Sequence, residues 1–490
     1  MTSIRRALAF SFLEKYALIG LSLVSYVLIA RILTPEEIGI YSVAAALIGI
    51  AQVMREFGIG SYLIQEKELD ESRIRTAFGV SLVLGLTMFL VFTLGASLLG
   101  RFYGDERVVD IVRIVALNFL VLPFCSISIS LLRREMKFDR LMRVNLGAAL
   151  VGLVVTLGFA FAGYGPQCLA WGTIACNIAT GLSAWLLQDN RRLLRPSLTG
   201  WRRLVSFGGQ STLAGIVTSV AMDINDLVVA KVMGFAPVAM LSRALGLMNL
   251  FHRDLLGAAR NVAYPAFAKA HREGQPVEPL YIASLSSITA FGWPFYGFIA
   301  LYPLEILRLM AGPQWDAAAS LVPVFAAAGA LLSTVILTTT LILAVGRVDL
   351  SSGADIVVHL LRVILVVAAA FIFKTLIACA LAFLASVAIS VPIYFAFKSR
   401  CVPNDLRGLL TAFLKSLQMT LGTLLLAAAV SFYTGFHRAV PMPLAEFLPV
   451  CLATAMAWLI AVRVLRHPIG SDPLFKRLTS RLPFMSRPDR

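Results

Sequence analysis

Ionisable residues stand in stretches that are otherwise almost wholly apolar, and they divide into two chemistries. The first is cationic. Residues 238–263 carry Arg243, His252, Arg253, Asp254 and Arg260, residues 38–63 carry Gln52, Arg55 and Glu56, and residues 354–373 carry Asp355, His359 and Arg362 at i, i+4 and i+7. At about 100° per helical residue, Arg253 and Arg260 fall within about 20° of one face, as do Arg243 and Asp254, while Asp355, His359 and Arg362 form one stripe. A guanidinium grips phosphate oxygens two at a time and stays charged. Arg55, Arg243, Arg253, Arg260 and Arg362, with His359, are therefore candidates to line a path for an anionic cargo. The competing structural reading pairs Arg55 with Glu56 or a neighbouring helix, Arg253 with Asp254 and Arg362 with Asp355. Arg260, near one end of its stretch, also reads as a side chain reaching for the membrane surface.

The second chemistry is acidic. Asp223 and Asp226 sit one turn apart with Asn225 beside them. Two carboxylates on one stripe in a low dielectric repel each other, and a proton or a sodium ion relieves the repulsion. Glu14, next to Lys15, is the other candidate for cation coupling. The competing reading has Asp226 neutralise Lys231 or an arginine of the following stretch. No catalytic triad, phosphate loop or metal motif appears, so no catalytic residue, cofactor or metal is expected. Cys125, Cys168, Cys176, Cys379, Cys401 and Cys451 are scattered without a CxxC, and they read as free thiols.

What must position these side chains is a set of membrane-spanning helices. Of the 490 residues 59% are hydrophobic and 14% charged, and the mean hydropathy is +0.83, outside the range of soluble domains. About fourteen apolar runs of roughly twenty residues follow one another, each long enough for a bilayer core of about 30 Å. They lie near 7–32, 38–63, 77–100, 110–132, 142–163, 167–187, 204–231, 238–263, 281–304, 318–345, 354–373, 376–397, 409–433 and 444–465. Segments such as 148–162 and 421–430 are apolar on every face, whereas a transmembrane barrel alternates, so the fold class is an all-α polytopic membrane protein. Pro294, Pro323 and Pro392 fall inside spans, where they permit kinks and close helix contacts and mostly serve packing, and Trp171, Trp185, Trp293 and Trp315 read as interface anchors.

The net charge of +16 is spread over short loops between spans, which argues against a nucleic-acid partner. Arg5 and Arg6 precede the first run without a cleavage pattern, so that run reads as a retained span. With the N-terminus in the cytoplasm, basic residues divide about 27 to 7 in favour of the cytoplasmic side, which supports an even span count and two cytoplasmic termini. The basic segment 191–203, with Pro196 and Gly200, reads as the joint between a six-helix lobe at 1–190 and a second at 204–400. Two further helices at 401–466 and a basic tail at 467–490 complete the domain reading. LIARILTPEEIGIYSV from Leu28 aligns with VVAKVMGFAPVAMLSR from Val228, a repeat that keeps its orientation and implies two parallel lobes.

At this point the residues resemble a family. ARILTPEEIGIYSVAAALIGIAQVMREFGIGSYLIQEKEL from Ala30, LLRREMKFDR from Leu131, NDLVVAKVMG with the following SRA, and AGPQW from Ala311 are similar to oligosaccharide and polysaccharide flippases of the multidrug/oligosaccharidyl-lipid/polysaccharide exporter superfamily. The similarity covers most of residues 1–400. It implies alternating access by two lobes. The cargo it implies is a polyprenyl-diphosphate-linked oligosaccharide, a repeat unit of exopolysaccharide, capsule or lipopolysaccharide. It further implies the inner (cytoplasmic) membrane as the location, with a polysaccharide polymerase and export machinery as partners besides the lipid bilayer. A drug/cation antiporter and a lipid II flippase share the scaffold. A membrane-embedded polysaccharide polymerase is the enzyme alternative, against which the short outer connections stand.

Overall fold

The computed structural model describes the backbone of residues 2–56, 58–66, 68–188, 195–435, 440–465 and 467–471, and the side chains of these except 2–12, 61, 65, 203, 205–215, 217, 218, 221, 222, 253–256, 258, 468 and 471. Every described element is helical, as a chain that satisfies its backbone groups inside a bilayer requires. Twelve described helical stretches are long and apolar enough to cross a membrane. They cover all the expected spans except 204–231 and 238–263. Those two are also helical, and both contain positions outside the description.

The helices group into two compact units, residues 1–239 and 240–490. The first holds α1 (Thr2–Ile32), α2 (Pro35–Glu56), α3 (Ile59–Gln65), α4 (Glu71–Tyr103), α5 (Glu106–Ala116), α6 (Asn118–Arg134), α7 (Phe138–Phe161), α8 (Gln167–Leu186) and α9 (Trp201–Met233). Its helix starts are written locally. Thr34 and Glu37 cap each other at the start of α2, Asp70 accepts from the Arg73 backbone at the start of α4, and Asp105 accepts from that of Arg107 at the start of α5. The expected span 110–132 is broken at Leu117 into α5 and α6. Pro123 leaves the Phe119 carbonyl without its helical donor, and Gly85 lets α4 close on that point, since a Cβ there would lie 2.4 Å from the Phe119 oxygen. Segment 195–200 is fastened to α4 by Thr76 Oγ1 donating to the Thr199 carbonyl at 2.7 Å and by the Ser197 N–H donating to the Arg75 carbonyl at 3.1 Å. Helix α9 packs along α2 in the same unit.

Helix α10 (Phe235–Asn249) leads into the second unit, which continues with a π-helical turn (Leu250–Leu255), α11 (Leu256–Arg272), α12 (Val277–Leu301), α13 (Pro303–Met310), a 3-10 turn (Pro313–Ser320), α14 (Val322–Ser333), α15 (Thr338–Ala344), α16 (Val348–Phe373), α17 (Leu376–Lys398), α18 (Leu406–Tyr433) and α19 (Leu444–Val464). Two expectations change here. Pro323 does not kink a span: it sits in the first turn of α14, where no N–H is needed. Trp315 is fully buried instead of sitting at the interface. The last two helices dock on α12, where Thr289 and Ser416 hydroxyls meet at 2.8 Å and Trp458 Nε1 donates to the Ala290 carbonyl at 2.9 Å. The aligned repeat carries the same break in both copies: α2 starts at Pro35 and α10 at Phe235, 200 residues on (235 − 35).

Candidate functional site

The second unit gathers charge from four elements. Asp355, His359 and Arg362 come from α16, Tyr394 and Phe383 from α17, Arg260 from α11, and His252 from the π-helical turn. Tyr394 donates to Asp355 Oδ1 at 3.0 Å, and the Arg362 guanidinium lies 4.8 Å over the Phe383 ring. Arg260 stands within electrostatic reach of His252 and Asp355, and Arg362 within reach of His252, His359 and Tyr394. Asp355 thus turns to a tyrosine, and no ion pair with Arg362 forms among the described residues. The buried Nε of Arg260, Nε of Arg362, Nδ1 of His252 and Nδ1 of His359 have no hydrogen-bond partner among the described residues. A buried donor left in that state costs about 1–3 kcal/mol. An oxyanion brought between these groups would satisfy two guanidinium donors at once.

The π-helical turn occupies the middle of the expected span 238–263. Such turns are concentrated at functional sites, and this one interrupts the 100° count by which Arg243, Arg253, Asp254 and Arg260 were placed on shared faces. The Arg253 side chain lies outside the described residues. Arg243 is 7% exposed with its guanidinium 4.4 Å over the Trp315 ring. Beneath it the 3-10 turn is fixed by Arg308, which grips both oxygens of Asp316 at 2.8 and 2.5 Å.

In the first unit, Arg55 is 4% exposed and reaches Ser126 Oγ on α6 from Nη1 at a long 3.5 Å, while Glu56 beside it is exposed. Of the acids, Asp223 Oδ2 accepts from Ser219 at 3.1 Å and faces α2 at Gly49, where a Cβ would come within 3.5 Å. Asp226 is one turn on and itself engaged in an interaction. Lys231 donates to the Phe102 carbonyl and lies 4.5 Å over the Phe102 ring. Glu14 accepts from Asn145 Nδ2 on α7 at 2.6 Å. All six cysteines are free, and no group of three or more metal-ligating side chains occurs among the described residues.

Sequence reasoning missed Tyr394 and Ser126. Tyr394 is a polar side chain in the apolar stretch 376–397, and that was the available signal. Ser126 carried none, because a single hydroxyl in a span usually bonds its own helix.

Comparison with known proteins agrees with this architecture. The model of the polysaccharide biosynthesis protein family matches residues 28–320. Relatives include the lipopolysaccharide biosynthesis protein WzxC of Escherichia coli K12, 23% identical over 340 residues and 68% of each chain. The teichuronic acid biosynthesis protein TuaB of Bacillus subtilis 168 is 21% identical over 68% of this chain and 69% of its own. The succinoglycan biosynthesis transport protein ExoT of Rhizobium meliloti 1021 is 24% identical over 64% of this chain and 63% of its own. In fold, the chain is similar to the lipid II flippase MurJ, with a TM-score of 0.73 at 14% identity over 97% of this chain and 99% of that one. It is also similar to an inward-facing MATE-family multidrug transporter, with a TM-score of 0.62 at 17% identity over 81% of this chain and 94% of the other. With its family model matched over more than half its length, this chain, a multi-pass, all-helical membrane protein, belongs to the polysaccharide biosynthesis protein family.

Proposed function

We propose that this protein is a flippase that moves polyprenyl-diphosphate-linked oligosaccharide repeat units across the inner membrane by alternating access of its two lobes, for exopolysaccharide, capsule or lipopolysaccharide synthesis. The observation that supports the reading is the pair of buried Nε donors on Arg260 and Arg362, without a partner among the described residues and within electrostatic reach of His252 and His359. A diphosphate supplies the acceptors they lack, and fixed cations held away from bulk water compensate the loss of its hydration. The same cluster disfavours a cationic drug. The names of WzxC, TuaB and ExoT support a polysaccharide pathway over lipid II. The connection 304–317 is taken up by α13 and the Arg308–Asp316 clasp, which leaves little chain for a catalytic loop and supports a transporter over a polymerase. Two cytoplasmic termini, a boundary at 191–203 and handover to a polymerase and export machinery belong to the same proposal.

The test is Arg362→Ala, with Arg253→Ala beside it, scored for polysaccharide export and for protein abundance. One charge-assisted contact to phosphate is worth about 1.5–3 kcal/mol, so transport falls by about tenfold or more with abundance unchanged. Normal export in both variants at native expression would remove the arginines from the cargo path. Loss of the protein would assign them to helix packing.

A further inference from the structure

At the corner where α4 turns into α5, the first unit forms an open cleft of about 560 Å³ lined by charges of both signs. Arg101 projects from the last turn of α4, and Glu106, Asp110 and Arg113 lie at i, i+4 and i+7 along α5. All four are exposed, and none makes an ion pair among the described residues. Arg113 Nη2 donates to Ser97 Oγ at 3.3 Å. Asp105, at the same corner, is already engaged by Arg107.

The corner is stiff. Gly104 turns the chain at φ 76°, Asp105 caps α5, and α4 and α5 touch where a Cβ on Gly100 would stand 2.3 Å from Val109 Cγ2. Below it, α4 exposes Leu94 and Leu98 at 78% and 71%, and Phe102, 51% exposed, stands at the corner itself with Lys231 over its ring. Arg101, seven residues beyond Leu94, points within about 20° of the direction of Leu94.

We propose that this corner binds the head group of a zwitterionic phospholipid with a primary ammonium, of the phosphatidylethanolamine type. The phosphate lies between Arg101 and Arg113, the ammonium on Glu106 and Asp110, and the acyl chains along Leu94 and Leu98. Guanidinium pairs take phosphate oxygens bidentately, and an ammonium offers three N–H donors to carboxylates, which a quaternary amine lacks. A head group that carries the phosphate without a cation, such as that of phosphatidylglycerol, would leave both carboxylates without a counter-charge. A free anion would leave Leu94 and Leu98 unused. The site goes beyond the flippase reading and stands whatever the cargo is.

The full-length protein in detergent, titrated with short-chain phosphatidylethanolamine, phosphatidylcholine, phosphatidylglycerol and chain-free phosphoethanolamine and read by native mass spectrometry, tests it. Phosphatidylethanolamine should bind about tenfold tighter than each of the others. Glu106→Gln with Asp110→Asn should bring it down to the phosphatidylcholine level, and Arg101→Gln with Arg113→Gln should weaken all three lipids. The changes are on exposed side chains, so melting temperatures in lipid-free detergent should match the parent. Equal binding of phosphatidylethanolamine and phosphatidylcholine by the unaltered protein overturns the proposal, as does a preference that survives both double substitutions. Chain-free phosphoethanolamine binding as tightly as the lipid overturns the membrane source.

Discussion

Lys398 and Glu278 meet at 2.6 Å with the lysine wholly buried, so one ion pair joins the end of α17 to the start of α12. Lys398 Nζ also donates to Asn404 Oδ1 at 2.8 Å and stands 4.9 Å over the Tyr281 ring. Glu278 Oε1 accepts the backbone N–H of Asp405, the residue that caps α18, at 3.1 Å. Three helices of the second unit converge on this pair.

Removing one partner leaves a buried charge uncompensated, which costs about 3–5 kcal/mol, whereas removing both is far milder. Lys398→Met and Glu278→Gln should each lower the melting temperature in detergent sharply, and the double variant should sit well above the sum of the two losses. Additive losses would show that the pair is not coupled.

Helices α7 and α8 approach through small residues: a Cβ on Gly172 would fall 1.8 Å from Thr156 Oγ1, and one on Gly152 would fall 2.8 Å from Cys176 Cβ. Gly172→Ala should destabilise by about 1–3 kcal/mol through overpacking, and Gly172→Leu by more. Gly158→Ala on α7, where nothing stands within 4 Å, is the control that should change little. Thermal unfolding of the three variants in the same detergent decides it.

His467, beyond the end of α19, is buried, with Nδ1 accepting the Ile469 N–H at 3.3 Å and Nε2 facing Ser286 Oγ at 3.2 Å. Burial, helped by Lys415, holds its pKa below the ordinary histidine value. The unfolded chain therefore takes up a proton at a pH where the folded chain does not. The contribution to stability is complete above about pH 6.5 and declines as pH falls below it, toward the depressed folded value. The melting temperature should drop between pH 7 and pH 5, and His467→Gln should flatten that slope. An unchanged slope assigns the acid sensitivity elsewhere.

Segment 195–200 tests the proposed topology. Leu198 is exposed while Ser197 packs on Gly79, so Leu198→Cys in a cysteine-free background is the better probe. An impermeant thiol reagent added to intact cells should leave it unlabelled until the membrane is opened. Strong labelling from outside would invert the map.

We propose Asp223 and Asp226, one turn apart on α9 with Asp223 held by Ser219, as the pair for cation coupling. An inside-negative potential already favours outward movement of a diphosphate by about 2.3 kcal/mol per charge per 100 mV, so a proton or sodium ion is needed only to reset the empty carrier. Asp223→Asn with Asp226→Asn should abolish the dependence of transport in proteoliposomes on an imposed ion gradient. Gradient dependence of parental size would pass the role to Glu14 or to no residue at all.

Membrane helices and their approximate ends were legible because the requirement is local: about twenty apolar residues must satisfy their own backbone whatever stands beside them. The Asp355, His359 and Arg362 stripe was legible for the same reason, since three residues on one helix share a face by spacing alone. The breaks at Leu117 and after Ser333 and the π turn at Leu250–Leu255 were not, because an unbroken apolar run reads as one span until a neighbour takes up the freed carbonyls. Partners were hidden more deeply. That Asp355 turns to Tyr394, that Arg243 stacks on Trp315, and that Lys398 finds Glu278 all depend on which helix lies against which. In lipid nearly every helix face is apolar, so no amphipathic stripe marks the face to be buried, and only the packing of small residues and a few polar pairs chose the neighbours.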